Sequence, residues 1–351
     1  MNTLKRWATH PEDIPLTTSW YLADLGEAKG KQILFGRQSP QRLKALREHA
    51  LIESSVSSNR IEGVEIAPQR IQPVVLGQSR LRDRNEEEVR GYRDALKLIH
   101  ESKDRLFISE KTILQLHRLI RGGVGDAGQY KERDNDITEQ LPDGRVRIRF
   151  IPTSAKETPS TMKALVETWR SCVKERWTHP LIALAAFNLD FLCIHPFRDG
   201  NGRVSRLLLL LQSYHLGYDV GRYISVERLI EQEKERYYET LERSSKNWHQ
   251  VKHDPWPYIN FVHATLKAAY RELESRVGEV ASPRGAKTKW VTGVIHRASG
   301  SFDVALLQRE CPGVSVDMVR QILKNLRAAG KIKCLGFGRN AQWEKTTRWG
   351  K

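Results

Sequence analysis

Cysteine is scarce and badly spaced for chemistry. Cys172, Cys193, Cys311 and Cys334 are the four in 351 residues, and no two form a C-x-x-C pair. That argues against a disulfide scaffold and a thiolate zinc site, and leaves reduced structural thiols as the reading. Long apolar runs are missing too: no stretch of about eighteen apolar residues occurs, so no segment reads as a membrane-spanning helix. Residues 1–6 lead into no apolar run of signal-peptide length. The expectation is a cytoplasmic protein of bacterial type with no membrane partner. Acidic residues thin out toward the C-terminus. Residues 284–351 hold 14 Lys/Arg against 4 Asp/Glu, which places +10 of the total +16 in that stretch. Such asymmetry suggests an anionic partner, usually nucleic acid, with a surface that only keeps the protein soluble as the alternative. There is no internal repeat and no low-complexity segment. Apolar residues form 39% of the chain, ordinary for a protein that folds around one sizeable core into two or three units.

What is present concentrates in His195-Pro196-Phe197-Arg198-Asp199-Gly200-Asn201-Gly202-Arg203-Val204-Ser205-Arg206. Apolar segments at 181–194 and 207–211 flank it and read as buried helices, so the polar stretch is a loop held between them. Gly200-Asn201-Gly202 opens the second helix. Glycines admit close backbone approach, and a helix start offers unpaired N–H groups and a positive dipole end to an anion. Arg203 and Arg206, three residues apart, lie near one another on that helix and can fork onto phosphate oxygens. Asp199 can hold a divalent metal, and His195 can take a proton near neutral pH. Together these residues describe phosphoryl or nucleotidyl transfer.

The rest of the chain reads as mainly helical. Residues 1–38, with Pro11, Pro15 and glycines at 26, 30 and 36, are expected to form an irregular arm. Ser39-Pro40 offers an N-cap and a proline at the first helical position. Leu43, Leu46, Ala50, Leu51 and Ser54 continue at helical spacing until Gly63. Residues 86–101 and 111–121 are amphipathic helices, the first with Val89, Tyr92, Ala95, Leu96 and Ile99 on one face. Asp143-Gly144 is a turn dipeptide. Val146, Ile148 and Phe150 alternate with Arg145, Arg147 and Arg149, which predicts a short β-hairpin. Helices resume at Ser160, and Thr178-His179-Pro180 starts the apolar helix that leads into His195. One helix is expected over 225–244 and another over 257–277. Residues 281–285 make the best linker.

The 195–206 segment resembles the core motif of Fic (Fido-fold) proteins, H-P-F-x-[D/E]-G-N-G-R-x-x-R, at every fixed position, within a resemblance that covers roughly residues 40–270. The resemblance implies a Fic helical core with a small β-hairpin flap, and domains at 1–63 (arm and inhibitory helix), 64–280 (catalytic core) and 286–346. It implies transfer of AMP from ATP to a protein hydroxyl, with His195 as general base. Asp199 would hold Mg2+. Gly200, Asn201 and Gly202 would grip the α- and β-phosphates, and Arg203 and Arg206 would stabilise the triphosphate. Phe197 anchors the loop. Ser205 faces either the phosphate nest or solvent. Ser58-Asn59-Arg60-Ile61-Glu62-Gly63 fits the family's inhibitory pattern [S/T]-x-x-x-E-[G/N]; Glu62 would pair with Arg206 in a bidentate, largely desolvated contact and restrain the enzyme in cis. A plain helix end with Gly63 after it is the other reading. Arg149, Phe150 and Ile151 resemble the flap, whose edge strand can receive a target segment. Its arginines suit an acidic target or the nucleotide, or only protect the edge. Tyr237-Tyr238 matches a position lining the adenine pocket in relatives, and equally suits a core-facing pair. Ser245 stands where some relatives have Asn.

Beyond the linker, Trp290, Val291, Val294 and Ile295 mark one helix and 304–311 a second. Pro312-Gly313 forms a turn, and Ser315 caps a third helix. Residues 331–335 and 341–345 read as strands around a turn at 336–340. Three helices and a hairpin resemble a winged helix-turn-helix, with Arg320, Lys324 and Arg327 spaced to meet phosphates or a major groove. DNA contact and a plain interaction or dimerisation module stay side by side here, and a second copy of the chain is a further partner to consider. The whole-protein alternative to a transferase is a DNA-binding regulator whose Fic core senses nucleotide. Relatives of this fold also remove AMP or transfer phosphate or phosphocholine.

Overall fold

The computed structural model describes residues 3–10, 12–35, 40–102, 105–140, 144–278, 286–298, 300–311, 314–336, 338, 341–347 and 349. The Ser39 cap, Asp143 of the hairpin turn, the 281–285 linker, the Pro312-Gly313 turn and part of the 336–340 turn lie outside the described residues. The chain divides into two compact units: Met1–Arg37 with Ala50–Arg271, and Gln38–His49 with Glu272–Lys351.

The first unit begins with two helices where an irregular arm is expected from the prolines and glycines: α1 (Thr3–Thr9) and α2 (Leu16–Phe35). Tertiary bonds overrule local propensity. The start of α1 is fixed by Asp190, whose carboxylate accepts from the Thr3 N–H at 3.1–3.2 Å and from the Thr3 hydroxyl at 2.5 Å, while Leu4 and Trp7 are buried. A helical glycine costs about 1 kcal/mol relative to alanine, and α2 contains Gly26 and Gly30. Its far half is held by Gln32, which accepts from the Asp219 N–H at 2.8 Å, and by Lys29, which donates to the Leu216 carbonyl at 2.7 Å.

Helix α3 (Pro40–Ile61) ends before Gly63, which takes φ +80°. Then come α4 (Pro68–Val75), α5 (Arg84–Ser102) and α6 (Glu110–Arg121). The predicted face of α5 is the buried one. Helices α5 and α6 touch backbone to backbone at Gly91, where a Cβ would stand 2.2 Å from the Leu119 carbonyl oxygen. The hairpin is β1 (Ile137–Gln140) against β2 (Val146–Phe150), antiparallel with Thr138 opposite Ile148. Helix α7 (Thr158–Glu175) packs on α8 (Pro180–Ile194), and α8 packs on α9 (Asn201–His215). Every residue of α8 except Pro180 and Leu192 is buried, so this helix is the centre of the core. Where one helix is expected over 225–244 there are two, α10 (Val226–Gln232) and α11 (Lys234–Ser245); Glu233 leaves helical geometry at φ −110°, ψ 31°. Helix α12 (Trp256–Gly278) follows.

The second unit contains α13 (Ala286–Arg297), α14 (Val304–Glu310) and α15 (Val316–Ala328), then β3 (Ile332–Cys334) paired antiparallel with β4 (Trp343–Lys345). Asp303 and Ser315 cap α14 and α15 by accepting backbone N–H bonds, a device worth about 1 kcal/mol each. Val291, Ile295, Phe302, Leu307, Val319, Leu323 and Ile332 form its core. The four cysteines form no disulfide. Among the described residues no helix is long and apolar enough to cross a membrane.

Candidate active site

The loop between α8 and α9 is bracketed by two left-handed residues. His195 caps α8 at φ 50°, ψ 62°, and Gly200 caps the start of α9 at φ 87°. The first is unusual for a side-chain-bearing residue; it reverses the chain directly after the buried helix and sets the imidazole at the loop's entry. Gly200 has a second reason to be glycine: a Cβ there would stand 2.9 Å from Ile120 Cδ1.

Three contacts fix the loop from inside. Phe197 is fully buried and stacks on His117 with ring centroids 3.7 Å apart. His117 accepts from the Gly128 N–H at its Nδ1 (2.9 Å), which leaves Nε2 to donate to the Asp199 carbonyl (3.0 Å). The Asn201 amide accepts from the Phe197 N–H at 2.9 Å and donates to the Phe197 carbonyl at 2.8 Å. Both polar atoms of the Asn201 side chain are thus engaged within the loop and staple the turn.

His195 sits half-buried with Nδ1 3.4 Å from the Leu192 carbonyl, an interaction that makes Nδ1 the protonated nitrogen and leaves Nε2 as the basic atom. Burial, and then the Lys131 charge, push its pKa down to about 4 against opposing pulls from Glu62 and Asp199. The imidazole is therefore neutral at physiological pH. Lys131 is itself buried; it donates its N–H to the Pro196 carbonyl at 2.9 Å and its ammonium to Asn135 at 3.0 Å. Burial lowers the Lys131 pKa to about 8.

The two arginines differ sharply. Arg203 is buried and held by Glu88 from α5, by the Asn59 side-chain oxygen at 3.2 Å and by the Asp199 carboxylate at 3.3 Å. In these contacts it acts as an internal strut between α5 and the loop. Arg206 lies beside Glu62: its Nη2 donates to Glu62 Oε1 at 2.8 Å, while Ser58 accepts from Nε through Oγ (2.9 Å) and from Nη2 through its carbonyl (2.8 Å). The pair is a single hydrogen bond and not the bidentate fork expected: Nη2 is shared between Glu62 and the Ser58 carbonyl, and Nε is held by the Ser58 hydroxyl. Burial is the strongest single influence on Arg206 and opposes its charge, but Glu62, Tyr237 and Tyr92 together carry the pKa upward. Arg206 Nη1 is buried with no hydrogen-bond partner among the described residues. The Glu62 carboxylate meanwhile lies over the opening turn of α9, its Oε1 2.2 Å from where a Cβ on Gly202 would be. That turn is the anion-binding end of the helix.

Asp199 is half-exposed and paired with Arg121 of α6 as well as Arg203. Burial works against its ionisation, but the charges of Arg203 and Arg121 and the Gly200 N–H overcome this and hold its carboxyl below the usual range. Although both its oxygens are engaged, this half-exposed carboxylate is a donor of the kind magnesium uses, since that ion takes one or two protein carboxylates and fills its shell with water and phosphate oxygens. Among the described residues no group of three His, Cys, Asp or Glu side chains forms an all-protein metal cage.

Other expected residues fall around this centre. Ser205 is fully buried and donates to the Gly202 carbonyl at 2.8 Å, so it does not face solvent. Tyr237 is buried, with its ring 5.7 Å from Phe261 and 6.2 Å from Tyr258. Tyr238 donates to the Ile61 carbonyl at 3.3 Å, one residue before Glu62. On the hairpin, Arg149 donates to the Tyr238 carbonyl at 2.9 Å, and Arg147 and Arg149 both reach Glu242 of α11, at 3.0 and 3.4 Å. These two arginines thus fasten the hairpin to α11. Phe150 stacks on His249, and the Ile151 carbonyl lies 2.7 Å from His249 Nε2. Glu88, Arg121, His117 and Lys131 join the site with no signal in the sequence pattern. Glu88 also pairs with Arg84, four residues before it, at 2.9 Å.

A buried apolar helix, a tight loop locked by its own side chains and a helix start facing an arginine define a helical domain built around an anion-accepting loop. Residues 107–213 match the model of the Fic/DOC family. A protein adenylyltransferase Fic from Drosophila mojavensis is 26% identical over 181 residues, half of this chain and 31% of that protein; the match thus spans about a third of the fly protein's length. In fold, the chain is similar to a Fic family protein from Desulfovibrio desulfuricans G20, with TM-score 0.63 and 22% identity over 96% of this chain and 98% of the other. It is likewise similar to residues 134–508 of Fic-1 from C. elegans, with TM-score 0.59 and 21% identity over 79% and 81% of the two chains.

Proposed function

We propose that this protein moves AMP from ATP to a Ser, Thr or Tyr hydroxyl of a protein target, itself included, releasing pyrophosphate, and that Glu62 restrains the reaction within the same chain. The observation that carries the reading is the contact of Glu62 with Arg206 over the start of α9, in a loop whose entry holds a neutral imidazole. His195 Nε2 accepts the hydroxyl proton as the oxygen attacks the α-phosphorus, a contribution of about 10²–10⁴-fold. N–H groups at the opening of α9 bind the phosphates. Arg206 orients the terminal phosphate once Glu62 releases it, and its unpartnered Nη1 adds a second donor. Asp199 would hold a magnesium ion, which supplies charge neutralisation on the phosphates as pyrophosphate departs. Arg203 and Arg121 keep that carboxylate ionised and in place.

The test uses ATP labelled at the α- or the γ-phosphate, with magnesium and the purified protein. Transfer of α-label to protein, lost in His195→Ala, supports AMP transfer; γ-label on protein replaces it with phosphoryl transfer. A second reading, a DNA-binding regulator whose core senses nucleotide, is favoured by the +10 charge of residues 284–351. ATP binding with no label transfer to any protein, by wild type or by Glu62→Gly, would select it.

A further inference from the structure

Helix α15 carries three of the 14 Lys/Arg of residues 284–351. Its buried side is Val319, Ile322 and Leu323. Its exposed side carries Arg320, Lys324 and Arg327 along one flank and Gln321 and Asn325 along the other, all solvent-accessible. Asp317 is the single acid of the helix; it lies 3.9 Å from Arg320 at the N-terminal turn. Gln321 donates to the Asn325 side-chain oxygen at 3.0 Å, which holds the two amides side by side on the surface. Lysines of the hairpin are less available: Lys333 pairs with Glu344 at 2.9 Å and Lys345 donates to the His296 carbonyl at 2.8 Å.

Cations at i, i+4 and i+7 suit phosphate contacts, whereas adjacent Gln and Asn amides match the donor–acceptor edge of adenine in a major groove. Helix α15, of 13 residues, is about 20 Å long at 1.5 Å per residue. A groove about 12 Å wide admits such a helix, while the deep, narrow major groove of duplex RNA does not. The helix has no aromatic residue, so it lacks the stacking platform that single strands use. We propose that the exposed face of α15 reads base edges of duplex DNA in the major groove, with Gln321 and Asn325 as reading residues and Arg320, Lys324 and Arg327 as phosphate anchors. This site rests on the anionic-partner reading of the C-terminal charge and is independent of AMP transfer.

The full-length protein is offered a library of random-sequence duplex DNA, with bound molecules recovered and re-selected, and affinities then measured by fluorescence anisotropy at several salt concentrations. A recovered sequence should bind about tenfold or more tighter than unselected duplex. Gln321→Ala with Asn325→Ala should abolish that preference and leave salt-dependent binding. Arg320→Ala with Lys324→Ala and Arg327→Ala should weaken all duplexes alike and reduce the salt slope by about 0.9 for each phosphate no longer neutralised. All five side chains are exposed, and unchanged melting temperatures will show that the variants fold. Salt-dependent binding with no recovered preference, or a preference that survives removal of both amides, overturns base reading while leaving a nucleic-acid partner standing. Absence of duplex binding at low salt, or tighter binding to single-stranded RNA or an acidic polypeptide, overturns the DNA site altogether.

Discussion

Glu62 Oε1 occupies the space that a Cβ on Gly202 would need, 2.2 Å from its position. The Glu62 side chain thus reaches the start of α9 because residue 202 has no side chain. The contact is with the tip of a flexible glutamate, so it can be relieved by moving Glu62 and not by moving backbone.

Gly202→Ala should therefore destabilise the wild type yet be close to neutral in a Glu62→Gly background. Residues in contact commonly couple by about 0.5–3 kcal/mol. Thermal melts of the four proteins in the cycle measure this coupling. Simple additivity would mean that Glu62 does not hold the loop in solution.

Glu62→Gly should raise AMP transfer at least about tenfold, the equivalent of ~1.4 kcal/mol in the barrier, because Arg206 and the α9 start are both released. Arg206→Ala with Glu62→Gly should remain slow, since the guanidinium itself is then missing. Autolabelling rates of the three proteins decide the matter. Equal rates for wild type and Glu62→Gly would reduce Ser58, Glu62 and Gly63 to a helix end.

Glu88→Ala should lower stability strongly. It leaves the Arg203 guanidinium buried without its principal counter-charge, and breaking a buried pair from one side costs about 3–5 kcal/mol. Urea unfolding would show the drop. Labelling should fall with it, because Asp199 is then left beside a poorly anchored arginine.

The base should work far into acid. With the His195 pKa at about 4, its neutral form persists as pH falls below the ordinary histidine range. The acid limb of the labelling rate, measured in the Glu62→Gly protein, should lie near pH 4 and not near 6.5. Lys131, Glu62 and Asp199 are the charges around the imidazole, so Lys131→Met should move that limb upward. A limb near 6.5 that Lys131→Met leaves in place would remove Lys131 from the account.

His263 is fully buried, 3.1 Å from the Leu181 carbonyl through Nε2, and burial depresses its pKa to about 4. Its folded pKa lies below the unfolded one, so between about 6.5 and 4 the unfolded chain binds the extra proton and stability falls as pH falls. The slope from this residue is at most about 1.4 kcal/mol per pH unit. Buried Glu227 and Asp190, whose pKa values burial raises, act in the opposite sense. Comparing His263→Asn with wild type between pH 6 and 5 isolates the histidine: the variant should show the flatter decline in acid.

The 195–206 loop was legible because its composition is dictated locally. Left-handed backbone, close approach and a helix opening each demand particular residues within a few positions. The hairpin was legible from alternation at 145–150, and Ser315 as a cap from its place before an amphipathic run. Helices α1 and α2 were not, because what stabilises them lies far off in sequence, in Asp190 and around 216–219. Nor were the partners of Asn201 and Arg203 within the protein. Their residue types fit a phosphate as well as they fit Phe197 and Glu88, and only the fold says which partner lies within reach.

Helices α5 and α6 meet at Gly91 with no room for a single carbon. Arg121 and His117, which hold the carboxylate and the carbonyl of Asp199, both project from α6. A side chain at position 91 would wedge α6 outward and carry both groups from the loop, while α8 and α9 kept their own packing. Random mutagenesis scored for absent labelling should thus flag a position devoid of reactive chemistry. A substitution as mild as alanine there would imitate an active-site lesion in a protein whose reactive residues were all intact.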